Sequence, residues 1–458
     1  METPHVIVVP YPAQGHVIPM LELSQLLVKH GIKVTCVNTE FNHHRVVSSS
    51  SSDIGEVVNM VSIPDGLEPW VDRTEMGKLS EAITRVMPGE LQALITTLNR
   101  DQCPKIGCVI ADWSMAWALD VAEGMGLRRA VFCPAAAATL ALCFAIPKLV
   151  GDGSINDNGQ ASKKKMIRVS PNIPPTISNE LLWASVGNEA TQKIIFHMFA
   201  DGARSIIKSA EFMICNSSPD LEPGAFSMLP QLKPIGPLLA SNRLGKSAGY
   251  FWPEDSSCLA WLDQQPPNSV VYVAFGSFTV LDPTQFEELA LGLQLTNRPF
   301  LWVVREDIIR AAGGGGGGAF PAAGFVEGKV VAWAPQQQVL SHPSVACFVT
   351  HCGWNSTIEG ISNGVPFLCW PYFAEQFTNR NYICDEWKVG LGLSKDGNGI
   401  ISRWELKEKV EAVLGDGGFR ERALSLGGKI MDGVKNGGTS HSNFTSFIQW
   451  IKKINGHV

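Results

Sequence analysis

Short apolar runs alternate with stretches of helical spacing through both halves of the chain. His5–Pro10 reads HVIVVP, a continuous apolar run of the kind a parallel strand shows when both faces are covered. After the turn YPAQGH, Val17–His30 places Met20, Leu21, Leu23, Leu26 and Leu27 at helical spacing, and Gly31 is positioned to close that helix. Lys33–Asn38 is the next predicted strand. Cys108–Asp112 follows as another, with a helix predicted over Trp113–Met125 and stopped by Gly126. Ala130–Pro134 is a further strand, followed by an alanine-rich helix.

Gly151–Asn188 is mostly polar and carries Lys163, Lys164, Lys165 and several prolines; it is expected as a surface loop with a short helical turn near Glu180. Glu189–Ser209 is predicted helical and Phe212–Asn216 extended. Pro234–Glu254, rich in Gly, Pro and Ser, is expected to connect two domains. Alternation then restarts. Val270–Ser277 (VVYVAFGS) repeats the logic of the first strand, Phe286–Leu295 is helical, and Phe300–Val304, VVAWAP, CFVTHCG and PFLCWP continue a second set of strands. The run Gly313–Gly318 has no core-forming power. An amphipathic helix is expected over Ser442–Ile454. Strand–helix alternation at this spacing means two doubly wound parallel sheets in tandem, an α/β fold whose ligands bind at the carboxyl ends of the strands. Two such domains facing each other would place a site in the cleft between them. The expected boundaries are 1–238 for an N-terminal domain, 239–257 for the linker, 258–440 for a C-terminal domain, and 441–458 for a last helix packing back toward the first domain.

Composition narrows the classes. The 458 residues are 45% hydrophobic and 17% charged, enough for packed cores over two or three domains. Lys plus Arg number 37 against 43 Asp plus Glu, a net charge of −6, which argues against nucleic-acid binding. The 11 cysteines form no Cys-x-x-Cys pair; Cys347 and Cys352 have ligand-like spacing but read as buried thiols, as expected of a reducing, cytoplasmic protein. The first strand begins almost at once, with no charged region of a signal peptide before it, and no apolar run reaches the roughly 18 residues of a membrane helix. No membrane insertion is expected, and a monomer is.

Two constellations carry chemistry. His16 lies in the loop after the first strand, and Asp112 ends another strand of the same sheet. A histidine there can take a proton from a hydroxyl, while a carboxylate behind it fixes the tautomer and stabilises the imidazolium. In the second half, HCGWNS (His351–Ser356) is a strand end turning into a helix; Gly353 permits close backbone approach, and the free N–H groups of the helix start suit a diphosphate. No Asp-x-Asp occurs, so no metal is implied; the helix end and His351 are expected to neutralise a leaving diphosphate instead.

The stretch Trp333–Gln376, WAPQQQVLSHPSVACFVTHCGWNSTIEGISNGVPFLCWPYFAEQ, closely resembles the sugar-nucleotide signature box of plant family-one UDP-glycosyltransferases. The likeness extends to PAQGH, to the IAD ending in Asp112, to AFGS and to the domain order. It implies the GT-B architecture of two Rossmann-like domains. It also implies a UDP-sugar donor, most often UDP-glucose, and a small lipophilic acceptor (phenolic, flavonoid or terpenoid), with no further cofactor. On the matching positions, His351 and Ser356 contact phosphates with Ser277 beside them. Trp333 stacks on uracil, with Ala334 and Gln336 adjacent. Glu359 grips the ribose, and Trp354, Asn355, Glu375 and Gln376 read the sugar. His16 and Asp112 match the family's catalytic dyad, which implies one in-line displacement with inversion. Many members carry a Thr or Ser pair where this chain has Cys133-Pro134-Ala135-Ala136, so their contact to the sugar 6-hydroxyl is not implied here. Tyr11, Trp113, Phe144, Met198 and Phe373 are the candidates for the acceptor pocket. The rival readings are a UDP-sugar epimerase or hydrolase on the same fold and a non-catalytic small-molecule binder. An NAD-dependent oxidoreductase ranks lower, because no Gly-x-Gly-x-x-Gly follows the first strand.

Overall fold

Each apolar run becomes a strand of one of two parallel sheets. The structure, a computed structural model, describes residues 3–49, 57–101, 103–239, 251–305 and 328–453. In the first sheet β1 (His5–Val9), β2 (Lys33–Thr39), β3 (Asn59–Ile63), β4 (Ile106–Asp112) and β5 (Arg128–Cys133) are joined, after a small antiparallel hairpin of β6 (Met166–Ile167) and β7 (Thr176–Ile177), by β8 (Phe212–Cys215) and β9 (Leu232–Pro234). The spatial order is β3-β2-β1-β4-β5-β8-β9. Every residue of β1 is buried, which is why its sequence shows no alternation. The second sheet contains β10 (Val270–Ala274), β11 (Phe300–Val303), β12 (Gly328–Val331), β13 (Val345–Thr350), β14 (Phe367–Cys369) and β15 (Gly390–Gly392), ordered β12-β11-β10-β13-β14-β15.

In both sheets the strand order reverses beside the first strand. β1 pairs in parallel with β2 on one side and β4 on the other, with Val9 opposite Ala111. β10 pairs with β11 and β13, with Ala274 opposite Thr350. At such a reversal the connecting helices leave toward opposite faces, and the carboxyl ends of the two neighbouring strands are left open to a ligand.

The chain divides into two units. Unit 1 comprises Met1–Phe251, Phe373–Thr378 and Asp432–Val458; unit 2 comprises Trp252–Tyr372 and Asn379–Met431. The core of unit 1 is built on Val6, Val8, Leu21, Val34, Ile110 and Phe132, and it takes in Phe447, Ile448 and Ile451 of the last helix, Thr439–Lys452. That of unit 2 gathers Val271, Val273, Leu289, Trp302, Val349 and Leu368.

Some elements depart from the sequence reading. Gly151–Asn188 is not simply a surface loop: it holds the β6–β7 hairpin and a turn of 3-10 helix at Ser178–Glu180, and Ile155, Ile173 and Leu181 are buried in it. Trp183 is 1% exposed and donates its indole N–H to Gly159 O at 2.8 Å. These anchors follow no period, so the pattern hid them. The tract Pro234–Glu254 begins inside β9, and Ile235 and Leu238 join the core of unit 1. Residues 240–250, most of the expected linker, lie outside the described residues, as does the run Gly313–Gly318. The helices Glu40–Ser49 and Met76–Asp101 were not anticipated, although the second places Leu79, Ile83, Met87, Leu91 and Ile95 on one buried stripe.

Candidate active site

Because β1 and β4 are neighbours, the residues leaving their carboxyl ends meet. His16 stands in the first turn of the helix Gln14–Lys29, and Asp112 is the last residue of β4. His16 Nδ1 donates to Asp112 Oδ2 at 2.8 Å; the imidazole is 26% exposed and the carboxylate fully buried. The other oxygen, Oδ1, accepts from Ser114 N at 2.8 Å, so both oxygens are held. Fixing the proton on Nδ1 leaves Nε2 as the basic edge. Burial pushes the imidazole pKa down, but the Asp112 charge, its hydrogen bond and then the Glu375 charge outweigh burial and leave it above its ordinary value.

The dyad has aromatic neighbours. The Tyr11 ring centroid lies 5.2 Å from that of His16, and its hydroxyl pairs with Ser80 Oγ at 3.2 Å. Trp113 is buried and stacks on Phe199, a residue the sequence reading missed, at 4.8 Å. Phe144 and Met198 are half-buried on two helices that pack together, and neither joins the dyad by a hydrogen bond or ring contact among the described residues. A small depression in unit 1 is lined by Ala138, Leu142, Ile167, Ile173, Leu181 and Thr378, and by none of the five expected acceptor residues.

The segment Phe373–Thr378 groups with unit 1 although its first four residues close the signature box. Ala374 N donates to Ser185 Oγ at 2.9 Å. Gln376 is buried and its Oε1 accepts from Phe373 N at 3.1 Å, which holds the Phe373 backbone. The missing hydroxyl after β5 also has a local explanation. The helix Ala137–Phe144 starts at Ala136 with no cap from that residue; instead Glu222, fully buried, accepts from Ala137 N and Ala138 N, both at 2.8 Å, and from Ser217 Oγ. Burial raises the Glu222 pKa to about 7 despite these three donors.

Unit 2 builds a different arrangement at the β10–β13 junction. His351 follows β13 directly, and Gly276 and Ser277 follow β10. A Cβ at Gly276 or at Gly353 would run into the His351 ring, so both glycines are required by the imidazole between them. Burial, with a smaller push from Arg305, lowers the His351 pKa to about 4, against one raising hydrogen bond with Ala274. At that value the imidazole is neutral near pH 7, a hydrogen-bonding group rather than a charge. A buried cation stands close by: Arg305, 2% exposed, donates to Gly276 O at 2.5 Å and to Thr279 O at 3.2 Å, and its charge acts on His351. Nothing in the residue pattern marks it beyond its place just past a strand end.

The helix Trp354–Ser362 begins after Gly353 with no side-chain cap, so its first turn presents backbone N–H groups. One turn on, Glu359 is clasped by two amides: Gln336 Nε2 donates to Oε2 at 2.7 Å and Gln337 Nε2 to Oε1 at 3.1 Å. Gln336 also donates to Ser356 Oγ at 3.0 Å and accepts from Tyr272 at 3.3 Å. Gln337 was missed, as was Trp252, which stacks on Trp333 at 5.0 Å between centroids. Ala334 and Trp354 are buried; Asn355 is half-buried at the helix start.

Two nucleotide-type strand junctions, one with a histidine–carboxylate dyad and one with an uncapped helix start, define an α/β enzyme of the GT-B architecture. Residues 252–432 match the family model described as UDP-glucoronosyl and UDP-glucosyl transferase. The chain is 45% identical to UDP-glycosyltransferase 83A1 of Arabidopsis thaliana over 99% of its length and 97% of that protein. It is 34% identical to the 7-deoxyloganetin glucosyltransferase of Gardenia jasminoides, covering 98% of each. Among solved structures it resembles a Phytolacca americana transferase complexed with UDP-2fluoro-glucose and pterostilbene. There the TM-score is 0.80 at 26% identity, covering 98% of this chain and 100% of that one. The chain belongs to the plant family-one UDP-dependent glycosyltransferases, and it is a UDP-glycosyltransferase. Among the described residues no helix is long and apolar enough to cross a membrane.

Proposed function

We propose that this enzyme transfers glucose from UDP-glucose to a hydroxyl of a small lipophilic acceptor, phenolic, flavonoid or terpenoid, with inversion at the anomeric carbon, in the cytoplasm. The observation that carries the reading is the His16–Asp112 pair at 2.8 Å, with the carboxylate fully buried and the imidazole reachable. His16 Nε2 takes the proton of the acceptor hydroxyl; Asp112 holds the ring and balances the imidazolium that forms. The acceptor oxygen attacks the anomeric carbon from the face opposite UDP, the C–O bond to the diphosphate breaks, and a β-glucoside leaves with UDP. The leaving diphosphate is met by the N–H groups starting the helix Trp354–Ser362, by neutral His351 and by Ser356, in the positive field of Arg305, so the reading needs no metal. Trp333, Ala334, Gln336 and Glu359 hold the nucleoside, with Ser277 and Gly353 beside the phosphates. Glu375 and Gln376 read the sugar together with Trp354 and Asn355. Tyr11, Trp113, Phe144, Met198 and Phe373 line the acceptor.

Support for glucose comes from Gln376, whose amide can both donate and accept toward adjacent equatorial hydroxyls. Turning one hydroxyl axial, as in galactose, leaves a buried polar group unpaired, at about 1–3 kcal/mol. A panel of aglycones with UDP-glucose and UDP-galactose, read by mass spectrometry and by the anomeric coupling in NMR, tests the whole reading. UDP-glucose is expected to be preferred by roughly ten- to a hundredfold in kcat/KM. Equal use of the two donors, an α-glucoside, or UDP release independent of any acceptor would overturn it.

A further inference from the structure

The chain leaves the carboxyl ends of β1, β2 and β3 side by side, and the three exits are tied to one another. The exit from β1 carries Tyr11, whose ring centroid lies 5.2 Å from that of His16. That segment is pinned from two sides. Asn42 stands at the start of the helix Glu40–Ser49, which follows β2, and its Nδ2 donates to Pro12 O at 2.8 Å. The Tyr11 hydroxyl pairs with Ser80 Oγ at 3.2 Å. Ser80 is 1% exposed, in the second turn of the helix Met76–Asp101, and the loop after β3 leads into that helix.

The loop after β3 is gathered on one side chain, Arg73. Its Nε and Nη2 donate to the two oxygens of Asp65, both at 3.1 Å. Nη2 also donates to Leu67 O at 2.9 Å, and Nη1 donates to Glu68 O at 2.5 Å and to Val71 O at 2.6 Å. Together these bonds use the whole donor fork of a guanidinium. Asp65 is 4% exposed, and its Oδ1 also accepts from Leu67 N at 2.9 Å. The Arg73 guanidinium lies over the ring of Phe41, the neighbour of Asn42, at 4.4 Å from its centroid. Gly66 has a φ of 81°, and a Cβ there would meet Val86 Cγ2 at 2.6 Å, so the loop rests directly on the helix that carries Ser80. Arg73 therefore reaches both supports of the Tyr11 segment, one through Phe41 and the other through the loop.

His16 needs such support. The bond from Nδ1 to Asp112 fixes one edge of the imidazole, but the torsion that turns a histidine ring is broad, so one bond does not set the ring plane. The Tyr11 ring, tilted 54° to the imidazole, is a second surface against it, and the Ser80 hydroxyl holds the far end of that ring. We propose that Ser80 and Arg73 are positioning residues for the transfer: acting through Tyr11, they set the plane of the His16 ring and so the direction in which Nε2 meets the acceptor hydroxyl. The proposal rests on the reading of His16 as the base. All of these contacts lie within unit 1, so they bear on proton removal and not on the nucleotide residues of unit 2.

The test measures kcat/KM with a weakly acidic alcohol and with a strongly acidic phenol, alongside UDP affinity, for the full-length parent, Ser80→Ala, Tyr11→Phe, Arg73→Met and His16→Ala. The phenol ionises without help and meets the same fraction of folded enzyme, so the alcohol-to-phenol ratio reads the base alone. Ser80→Ala and Tyr11→Phe should each lower that ratio roughly three- to tenfold and Arg73→Met about tenfold, with the UDP Kd within a factor of about two. Ser80→Ala combined with Tyr11→Phe should cost no more than either alone, because both remove the same bond. An unchanged ratio in Ser80→Ala and Tyr11→Phe overturns the proposal. So does an equal loss with both acceptors, which marks a loss of folded enzyme and nothing else. The two hydroxyl deletions decide the matter if Arg73→Met does not fold. His16→Ala tells the two failures apart: a ratio that falls there and in no other variant refutes the positioning alone, and a ratio that does not fall even there refutes the base and the proposal with it.

Discussion

Two histidines stand just past neighbouring strand ends of parallel sheets, and their surroundings drive them in opposite directions. His16 leaves β1 beside the end of β4 and meets a buried carboxylate 2.8 Å away, which lifts its pKa above the ordinary value. His351 leaves β13 beside the end of β10 and meets two glycines and a buried arginine, and its pKa falls to about 4. The topology at the two junctions is the same; the chemistry differs because β4 ends in Asp112 whereas β10 runs into Gly276, with Arg305 close by. A fold of this kind supplies a place for a ligand and leaves its chemistry to the residues at the strand ends. In the proposed mechanism one histidine gains a proton during the reaction, and the other stays neutral and meets an anion as a hydrogen-bond donor.

The comparison breaks most sharply at His16. His16→Ala should lower kcat/KM for a weakly acidic alcohol by about 10²–10⁴-fold, the usual worth of a general base, while UDP affinity stays within a factor of about two. Turnover near that of the parent enzyme would remove His16 from the mechanism. A strongly acidic phenol is a poor choice of acceptor, since it ionises without help.

Asp112→Asn sharpens the comparison, because it makes the surroundings of His16 more like those of His351. Without the carboxylate, burial dominates and the imidazole pKa falls. The acid limb of the kcat/KM profile reports that pKa, because only neutral His16 can accept a proton. In the parent enzyme the limb should lie above histidine's ordinary 6.5, and in the variant it should move to lower pH. The rate on the plateau should drop by roughly ten- to a thousandfold, since the tautomer is no longer fixed. A limb that does not move would mean that Asp112 does not set the His16 pKa.

Much of this was legible in the sequence. Buried parallel strands announce themselves as apolar runs, and both strand junctions followed from them. The dyad could be read because each partner sits at a strand end, where topology alone brings them together. Edge strands could not: β3 is largely half-buried and β9 has three residues, so neither shows a period. Residues that matter through a tertiary meeting also left no trace. Arg305 is one isolated cation, Gln337 is one glutamine among three, and Glu222 caps a helix that starts 85 residues earlier. Glu375 shows the converse: its place in an unbroken motif tied it to the sugar, while the fold also sets its charge on His16. The helix Met76–Asp101 is the exception, a stripe at spacing four that the pattern contained and that went unread.

The smallest effect is on stability, and it has opposite signs at the two histidines. The folded pKa of His351, about 4, lies below the unfolded 6.5, so the unfolded state binds the proton first on acidification. Its contribution is complete above about pH 6.5 and is lost as pH falls toward 4, by roughly 1–2 kcal/mol at about pH 5. His16 is raised, so the protonated ring favours the folded state. Its contribution is complete below about pH 6.5 and is lost as pH rises through the folded value. Replacing His351 by Gln should therefore flatten the acid side of the stability curve, and replacing His16 by Gln should steepen it. Denaturant unfolding of the two variants and the parent, without nucleotide, at about pH 7.5 and about pH 5 gives the four differences needed. The same acid loss in His351→Gln as in the parent would show that this imidazole is not held neutral by the fold, and the contrast between the two junctions would then rest on His16 alone.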